Sequence, residues 1–350
     1  MNLVGNCRAM GIGSVPFIEG AQAWVVVLEH FREIPFWPQL PKRSYRENMY
    51  TQFGEHLPGS IIDTENQTFF IDRNAELQSE LERFYNDYLS KDLLPFAISR
   101  EYIEGIYSGI ELKESNDNLF DGTSIIKGQV TGPVSFGLQV VDQDKKPIYY
   151  DEMFHDILLK NLERVVQWQE MMLGRMCKNI IISVDEPYLS SIGSGVIYLN
   201  RERVIEDIET VFSSINCHKA THCCGNTDWS MLMETSAEIL LFDAFNYTTN
   251  LALYGSHLNE FFNRGGCLGW GLVPTTPDDL AGTNKTELIS RLEQGVAQLE
   301  SKGIKREAIL HQSFITPACG LGNLPIPQAV QAMKLTAEIS EHMQKKYELF

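Results

Sequence analysis

No stretch of this 350-residue sequence is apolar for long enough to cross a bilayer. The longest apolar run, around Trp24 to Leu28, falls far short of the about 20 residues a spanning helix needs. The first residues, MNLVGNCRAMGIG, lack a basic stretch followed by an apolar one, so no secretory signal is expected there and the protein is expected to stay in the cytoplasm. Positive charge is scarce: 29 Lys and Arg against 46 Asp and Glu leave a formal charge of −17. Such a surface repels phosphate backbones and anionic lipid, so nucleic acid and membranes are not expected as partners. Repeats with a period of about 20 to 50 residues and low-complexity tracts are both missing, which argues against solenoids and tethered modules. Cysteine is sparse and odd in number: Cys7, Cys177, Cys217, Cys223, Cys224, Cys267 and Cys319. A chain this large does not need disulfide staples, so reduced thiols or metal ligands are the better reading.

What the sequence does contain is an alternation of two patterns. Short apolar or β-branched runs fall near residues 11–16, 33–37, 124–130, 179–184, 218–224, 238–245, 266–273 and 308–316, eight candidate strands in all. Between them lie helically spaced, charged segments such as Tyr150 to Met176, Arg201 to Ser214, Thr286 to Lys302 and Pro327 to Lys346. Eight βα units predict a single (β/α)8 (TIM) barrel spanning residues 1–350. The long stretch between the second and third strands reads as an insertion, approximately 58–120, with a hairpin near Ser60 to Ile71 and helices at Asn74 to Leu89 and Ser99 to Ser108. Polar, glycine-bearing loops at 114–124 and 190–196 are long enough to form mobile rims or lids.

Residues that follow the strands of such a barrel converge on one face, so what ends each run carries the chemistry. The first run ends in Ile12-Gly13-Ser14, the third in Gln129-Val130-Thr131-Gly132-Pro133, the fourth in Asp185-Glu186-Pro187, the fifth in His222-Cys223-Cys224-Gly225, the sixth in Phe242-Asp243 and the eighth in Cys319-Gly320. His222 and Cys224 lie two apart on one strand, so both point to one face while Cys223 points to the other. Cys319 is placed to supply a third ligand, and Asp243 a fourth, exchangeable one. Two thiolates and an imidazole suit Zn2+ over the oxygen-seeking Mg2+ or Ca2+, and a catalytic zinc keeps one position open. Cys7, Cys177, Cys217 and Cys267 show no partner pattern and read as structural. Asp185 reads either as a rim carboxylate or as a helix N-cap before Pro187. The small Gly13-Ser14 turn could hold a carboxylate through its N–H groups.

In order and kind, Ile12-Gly13-Ser14-Val15-Pro16, Thr131-Gly132-Pro133, Asp185-Glu186-Pro187, His222-x-Cys224 and Cys319-Gly320-Leu321 resemble the C-terminal catalytic barrel of cobalamin-independent methionine synthase. The resemblance covers nearly the whole chain. It places the sequence in the wider superfamily of uroporphyrinogen decarboxylase and the methylcobamide:coenzyme M methyltransferases. It implies zinc on His222, Cys224 and Cys319, with Asp243 near the position of the family's fourth ligand, a glutamate. It also implies that Asp185 holds the amino group of an amino-acid thiol while Gly13-Ser14 holds its carboxylate, with Ile12 and Thr131 completing the substrate set. Asp185 and Asp243 are then the carboxylates of the reaction. Where the family has a His-Gly-Glu run after the second strand, this chain reads Pro41-Lys42-Arg43. A single barrel resembles the short core methionine synthases, which take methyl from a methylated corrinoid protein. The expectation is therefore a zinc methyltransferase that moves methyl from a methylcorrinoid, in preference to methyltetrahydrofolate, to a small-molecule thiol. Homocysteine is the expected acceptor, and the insertion is the expected dock for the corrinoid protein. The alternatives are a coenzyme M-type thiol methyltransferase and a decarboxylase of the uroporphyrinogen type that needs no metal.

Overall fold

The computed structural model describes residues 3–73, 76–191 and 199–349. Its ten strands are β1 (Arg8–Ala9), β2 (Ser60–Asp63), β3 (Thr68–Ile71), β4 (Ile126–Thr131), β5 (Val141–Asp142), β6 (Ile180–Asp185), β7 (His218–Cys223), β8 (Ile239–Phe242), β9 (Cys267–Val273) and β10 (Ser313–Pro317). Seven of them form one parallel sheet in the order β1-β10-β9-β8-β7-β6-β4. Helices such as Glu152–Leu173, Arg201–Ser213, Lys285–Glu300 and Ile326–Tyr347 connect and cover it. β6, Ile-Ile-Ile-Ser-Val-Asp, is buried at every position, as expected where a parallel sheet is covered on both faces.

Side chains alternate between two hydrophobic clusters. Ile181, Ala220, Ile239, Leu241 and Phe314 fill the inside of the curled sheet, whereas Ile182, Val184, Cys223 and Trp270 pack outward against the helices. Cys223 therefore lies behind its strand, fully buried, and all seven cysteines are free thiols.

The curled parallel sheet is barrel-like, as expected, but among the described residues the expected first strand, 11–16, gives way to β1 at Arg8–Ala9 and the expected second is not a continuous strand. The sheet has seven strands, and its two edges, β1 and β4, are joined by the extended segment 35–39, which carries the expected second strand only as isolated bridges. On one side Trp37 N donates to Lys127 O at 3.1 Å and Lys127 N to Pro35 O at 2.8 Å. On the other, Gln39 N donates to Gly13 O at 3.0 Å and Val15 N to Gln39 O at 2.9 Å. The reason is in the sequence: Pro35 and Pro38 have no N–H, so a continuous ladder cannot run through this segment.

The insertion holds the expected hairpin, β2 against β3, whose second strand pairs with β5 to make a small mixed sheet. Its helices are Leu77–Ser90 and Glu104–Ser115, and the expected start at Asn74 lies outside the described residues. The first of these helices docks on the Glu152–Leu173 helix, with Tyr85 Oη donating to Asp156 and Tyr88 Oη to Glu163. The stretch 114–124 contains a short 3-10 turn, Asp117–Phe120, anchored by buried Phe120, while 192–196 of the second expected lid, 190–196, lies outside the described residues. Among the described residues no helix is long and apolar enough to cross a membrane.

At the end of β6 neighbouring carboxylates part company. Asp185 turns inward, while Glu186, wholly buried, turns to the helix Pro133–Gln139 and accepts from Val134 N at 3.0 Å, Ser135 N at 2.7 Å and Ser135 Oγ at 2.5 Å. A Cβ on Gly132 would lie 2.2 Å from Glu186 Oε1, so glycine there makes room for the carboxylate. Burial pushes Glu186 up to about 7, against the lowering effect of its bonds to Ser135 and Val134. A carboxyl whose folded pKa is raised contributes its full stability below the unfolded value and loses it as pH rises through the folded one. The loss here should fall between about pH 4.5 and 7 and be on the order of 3 kcal/mol. Melting curves from pH 5 to 8 should therefore decline more steeply for the wild-type protein than for Glu186→Gln; parallel declines would contradict this account of Glu186.

Candidate metal centre

β7 carries the centre. Thr131 on β4, Asp185 on β6 and His222 on β7 are side by side in register, so one inward-facing layer contributes a hydroxyl, a carboxylate and an imidazole. Cys224 follows on the same face just beyond the strand. Cys319, from the turn after β10, reaches the same spot across β8 and β9. One ring nitrogen of His222 and the sulfurs of Cys224 and Cys319 all lie within 4.8 Å of one another, close enough to share one ion. His222 is 3% exposed, and neither of its ring nitrogens has a hydrogen-bond partner. A buried imidazole that leaves both nitrogens unpaired is costly unless something else takes a lone pair. With two soft sulfurs beside it, the donor set fits zinc.

The electrostatics agree. A hydrogen bond from Cys319 is the main influence drawing Cys224 well below the ordinary thiol range, helped by His222 and opposed by burial. The same bond, with burial, drives Cys319 up. Burial works to lower the His222 pKa, but Cys224 and Asp185 outweigh it and raise the value. The trio thus favours one thiolate, on Cys224, beside a protonated imidazole and a thiol, so an ion binding there would displace the protons of His222 and Cys319.

The other residues expected at the rim take these positions. Asp185 is not a helix cap: it is 8% exposed and accepts from Ser183 Oγ at 2.5 Å, and its pKa is raised by burial, with Lys127 and His222 acting against the rise. Asp243 lies outside the close trio. It caps the helix Ala244–Leu251, with Oδ1 accepting from Asn246 N at 3.0 Å and Oδ2 from Asn246 Nδ2 at 2.8 Å. Thr131 Oγ1 donates to Met49 O at 2.5 Å, which ties the segment that precedes the insertion to the rim. Ser14 meets the turn that bears Cys319: its carbonyl accepts from Leu321 N at 2.8 Å and its Oγ from Gly322 N at 3.3 Å. Gly13 is held close to two amides, since a Cβ there would lie 2.7 Å from Gln129 Cδ and 2.8 Å from Gln39 Oε1. Ile12 is buried, and its carbonyl accepts from Lys127 Nζ.

Two residues of this neighbourhood escaped the reading of strand ends: Lys127 and Gln39. The signal available was period two on β4, where Lys127, Gln129 and Thr131 fall on one face; two polar side chains beneath a rim residue are unusual inside a barrel.

No protein-family model matches the sequence, and no curated protein matches it either. Solved structures do. A B12-independent methionine synthase from a Shewanella species, in complex with selenomethionine, superposes with a TM-score of 0.61 at 14% identity, covering 98% of this chain and 99% of that one. A methyltransferase from Methanosarcina mazei gives 0.56 at 14% identity over 97% and 94%. The class defined by fold is thus an α/β chain with a curled parallel sheet and a His/Cys/Cys cluster at its C-terminal rim. More particularly, its fold is that of the cobalamin-independent methionine synthases, over nearly the full length of both chains.

Proposed function

We propose that the chain is a zinc-dependent methyltransferase that moves a methyl group from a methylcorrinoid, in preference to methyltetrahydrofolate, to the thiol of homocysteine, giving methionine. The observation that carries this reading is the close trio of buried His222 with partly buried Cys224 and Cys319, in which neither imidazole nitrogen makes a hydrogen bond of good geometry. A decarboxylase that needs no metal leaves that trio without a purpose.

An alkyl thiol with a pKa near 8.5 is only a few per cent thiolate at neutral pH, so the acceptor must be activated. Bound zinc supplies the Lewis acidity that lowers the thiol pKa and presents its sulfur as the nucleophile. His222, Cys224 and Cys319 hold three positions and leave one for that sulfur. Asp243 would be the exchangeable fourth ligand of such an ion; here its oxygens accept from Asn246 N and Nδ2. The sulfur–methyl bond forms as the bond from methyl to donor breaks, and the electron pair stays with the donor.

Asp185 holds the substrate ammonium, and the turn of Ile12, Gly13 and Ser14 holds its carboxylate near Thr131. Charge favours such an acceptor over a sulfonate thiol such as coenzyme M. Two arginines that follow the 35–39 segment are already engaged, Arg43 with Glu47 at 2.7 Å and Arg46 with Glu101 at 2.5 Å. The carboxylates Asp185 and Asp243 would repel an anion.

The test is metal analysis of the purified protein joined to a cross of homocysteine and coenzyme M against methylcobalamin and methyltetrahydrofolate. Stoichiometric zinc and methionine formed from methylcobalamin are the expected results. Metal-free protein, as purified and after zinc addition, or no methyl transfer to either thiol, would overturn the proposal.

A further inference from the structure

Among the buried ionisable groups outside the metal trio, Lys127 has no role in the function proposed above. It lies on the inner face of β4, is 0% exposed, and sits below the rim layer formed by Thr131, Asp185 and His222. Burying an ammonium in a barrel interior is costly unless its donors are matched. Two partners are in place: Nζ donates to Ile12 O at 2.5 Å and to Gln129 Oε1 at 3.3 Å. The negative charge of Asp185 also acts on it.

The bond to Ile12 crosses the one place where the sheet is interrupted. β4 and β1 are its edges, and only the proline-broken segment 35–39 runs between them. The backbone of Lys127 holds that segment through Pro35 O and Trp37 N, and its side chain passes over to Ile12, three residues beyond β1. From there the connection continues. Two residues on, Ser14 accepts from Leu321 N and Gly322 N, which fixes the turn that carries Cys319. A Cβ on Gly320 would lie 2.1 Å from Ser14 Oγ, so the two turns are in close contact. In the other direction the charge of Asp185, which lies beside His222 in register, acts on the ammonium.

We propose that Lys127 is a positioning residue for the metal centre, holding the Cys319 side of the ligand set, through Ile12 and Ser14, in register with the His222–Cys224 side. The inference rests on the metal reading of the trio. Burial pushes Lys127 down to about 8, against the pull of Asp185, so the side chain remains largely charged at neutral pH and keeps all three donors.

The test uses the full chain and two readings, zinc affinity by competition with a chromophoric chelator and the thiolate-to-metal charge-transfer band after cobalt(II) loading. In Lys127→Met, zinc affinity should fall by about 10- to 100-fold, the range seen when a partner behind the ligands is removed. The charge-transfer band should drop by about half, as one of two thiolates is misplaced. Lys127→Arg, which keeps the charge and the donors, should recover part of both. A folded Lys127→Met protein with wild-type affinity and an unchanged band would overturn the proposal, because a merely structural lysine would alter the melt and leave the spectrum alone. If Lys127→Met does not fold, Gln129→Glu decides by the same two readings, since a carboxylate there draws Nζ away from Ile12; no change in either reading would again overturn it. Failure of the wild-type protein to bind zinc or cobalt at all is a different result, and defeats the metal reading itself.

Discussion

Cys319→Ala is expected to lower zinc affinity about a hundredfold while leaving the metal-free protein folded. Four-ligand zinc sites are worth about 10–16 kcal/mol near neutral pH, so one ligand accounts for roughly 3 kcal/mol, or two powers of ten in affinity. Cys319 sits in a turn beyond β10 and is only partly buried, so its truncation should change the metal-free melt by no more than about 1 kcal/mol. The informative control is Cys223→Ala. Cys223 is next to Cys224 in sequence and just as soft a ligand, yet it packs outward against the helices and is fully buried. Its loss should cost about 1 kcal/mol of stability and no zinc. Competition titrations of the two variants and of Cys224→Ala therefore form a set, with Cys224→Ala matching Cys319→Ala. Undiminished zinc binding by Cys319→Ala, or lost binding in Cys223→Ala, would mean that the ion, if one binds, is held elsewhere.

That contrast also shows which parts of the molecule could be read from its residues. The alternation of His222, Cys223 and Cys224 needs only the period of a strand, so which side each thiol takes was legible. The later strands, β4 and β6 to β10, were legible as apolar runs because both faces of a parallel sheet are buried, although the last run, 308–316, took in the end of the helix Arg306–His311 before β10. The segment at 33–37 misled because Ile34, Phe36 and Trp37 look like a strand, while the deciding feature is the pair of prolines that deprives the ladder of donors. The two carboxylates after β6 could not be told apart in sequence. Glu186 is spoken for by Val134 and Ser135, which lie about fifty residues earlier, and only the fold brings that helix start to it. Asp243 was legible as a rim carboxylate, but its engagement with Asn246 three residues later is a helix-cap pattern that competes with metal binding. Lys127 was passed over because a lysine within an apolar run is ordinarily a surface residue, and the carbonyl that receives it belongs to Ile12.

Gly271→Ala is expected to do comparable harm to the centre without touching a ligand. β9 lies between β8 and β10, so the route from Cys319 to the His222–Cys224 side that does not cross the 35–39 segment passes over it. A Cβ on Gly271 would meet Phe242 O at 2.5 Å, Ala318 Cα at 2.8 Å and Asp243 Cα at 3.2 Å, all of them backbone atoms that cannot rotate away. Ala318 directly precedes Cys319, and its N–H is held by Val273 O at 2.9 Å, so the new methyl group must move either that turn or the end of β8. Overpacking of this kind costs about 1–3 kcal/mol. The displacement is aimed at a ligand, so zinc affinity should fall by at least about tenfold as well. Gly269→Ala separates the two effects. Its Cβ would meet Leu241 Cδ2 at 2.2 Å, the end of a side chain that can turn aside, and the nearest backbone atom is Leu241 Cα at 3.5 Å. That variant should be destabilised with zinc affinity intact. If the two alanines lower stability and zinc affinity in the same proportion, the passage over β9 is not what brings Cys319 to its partners, and the centre depends on overall stability alone.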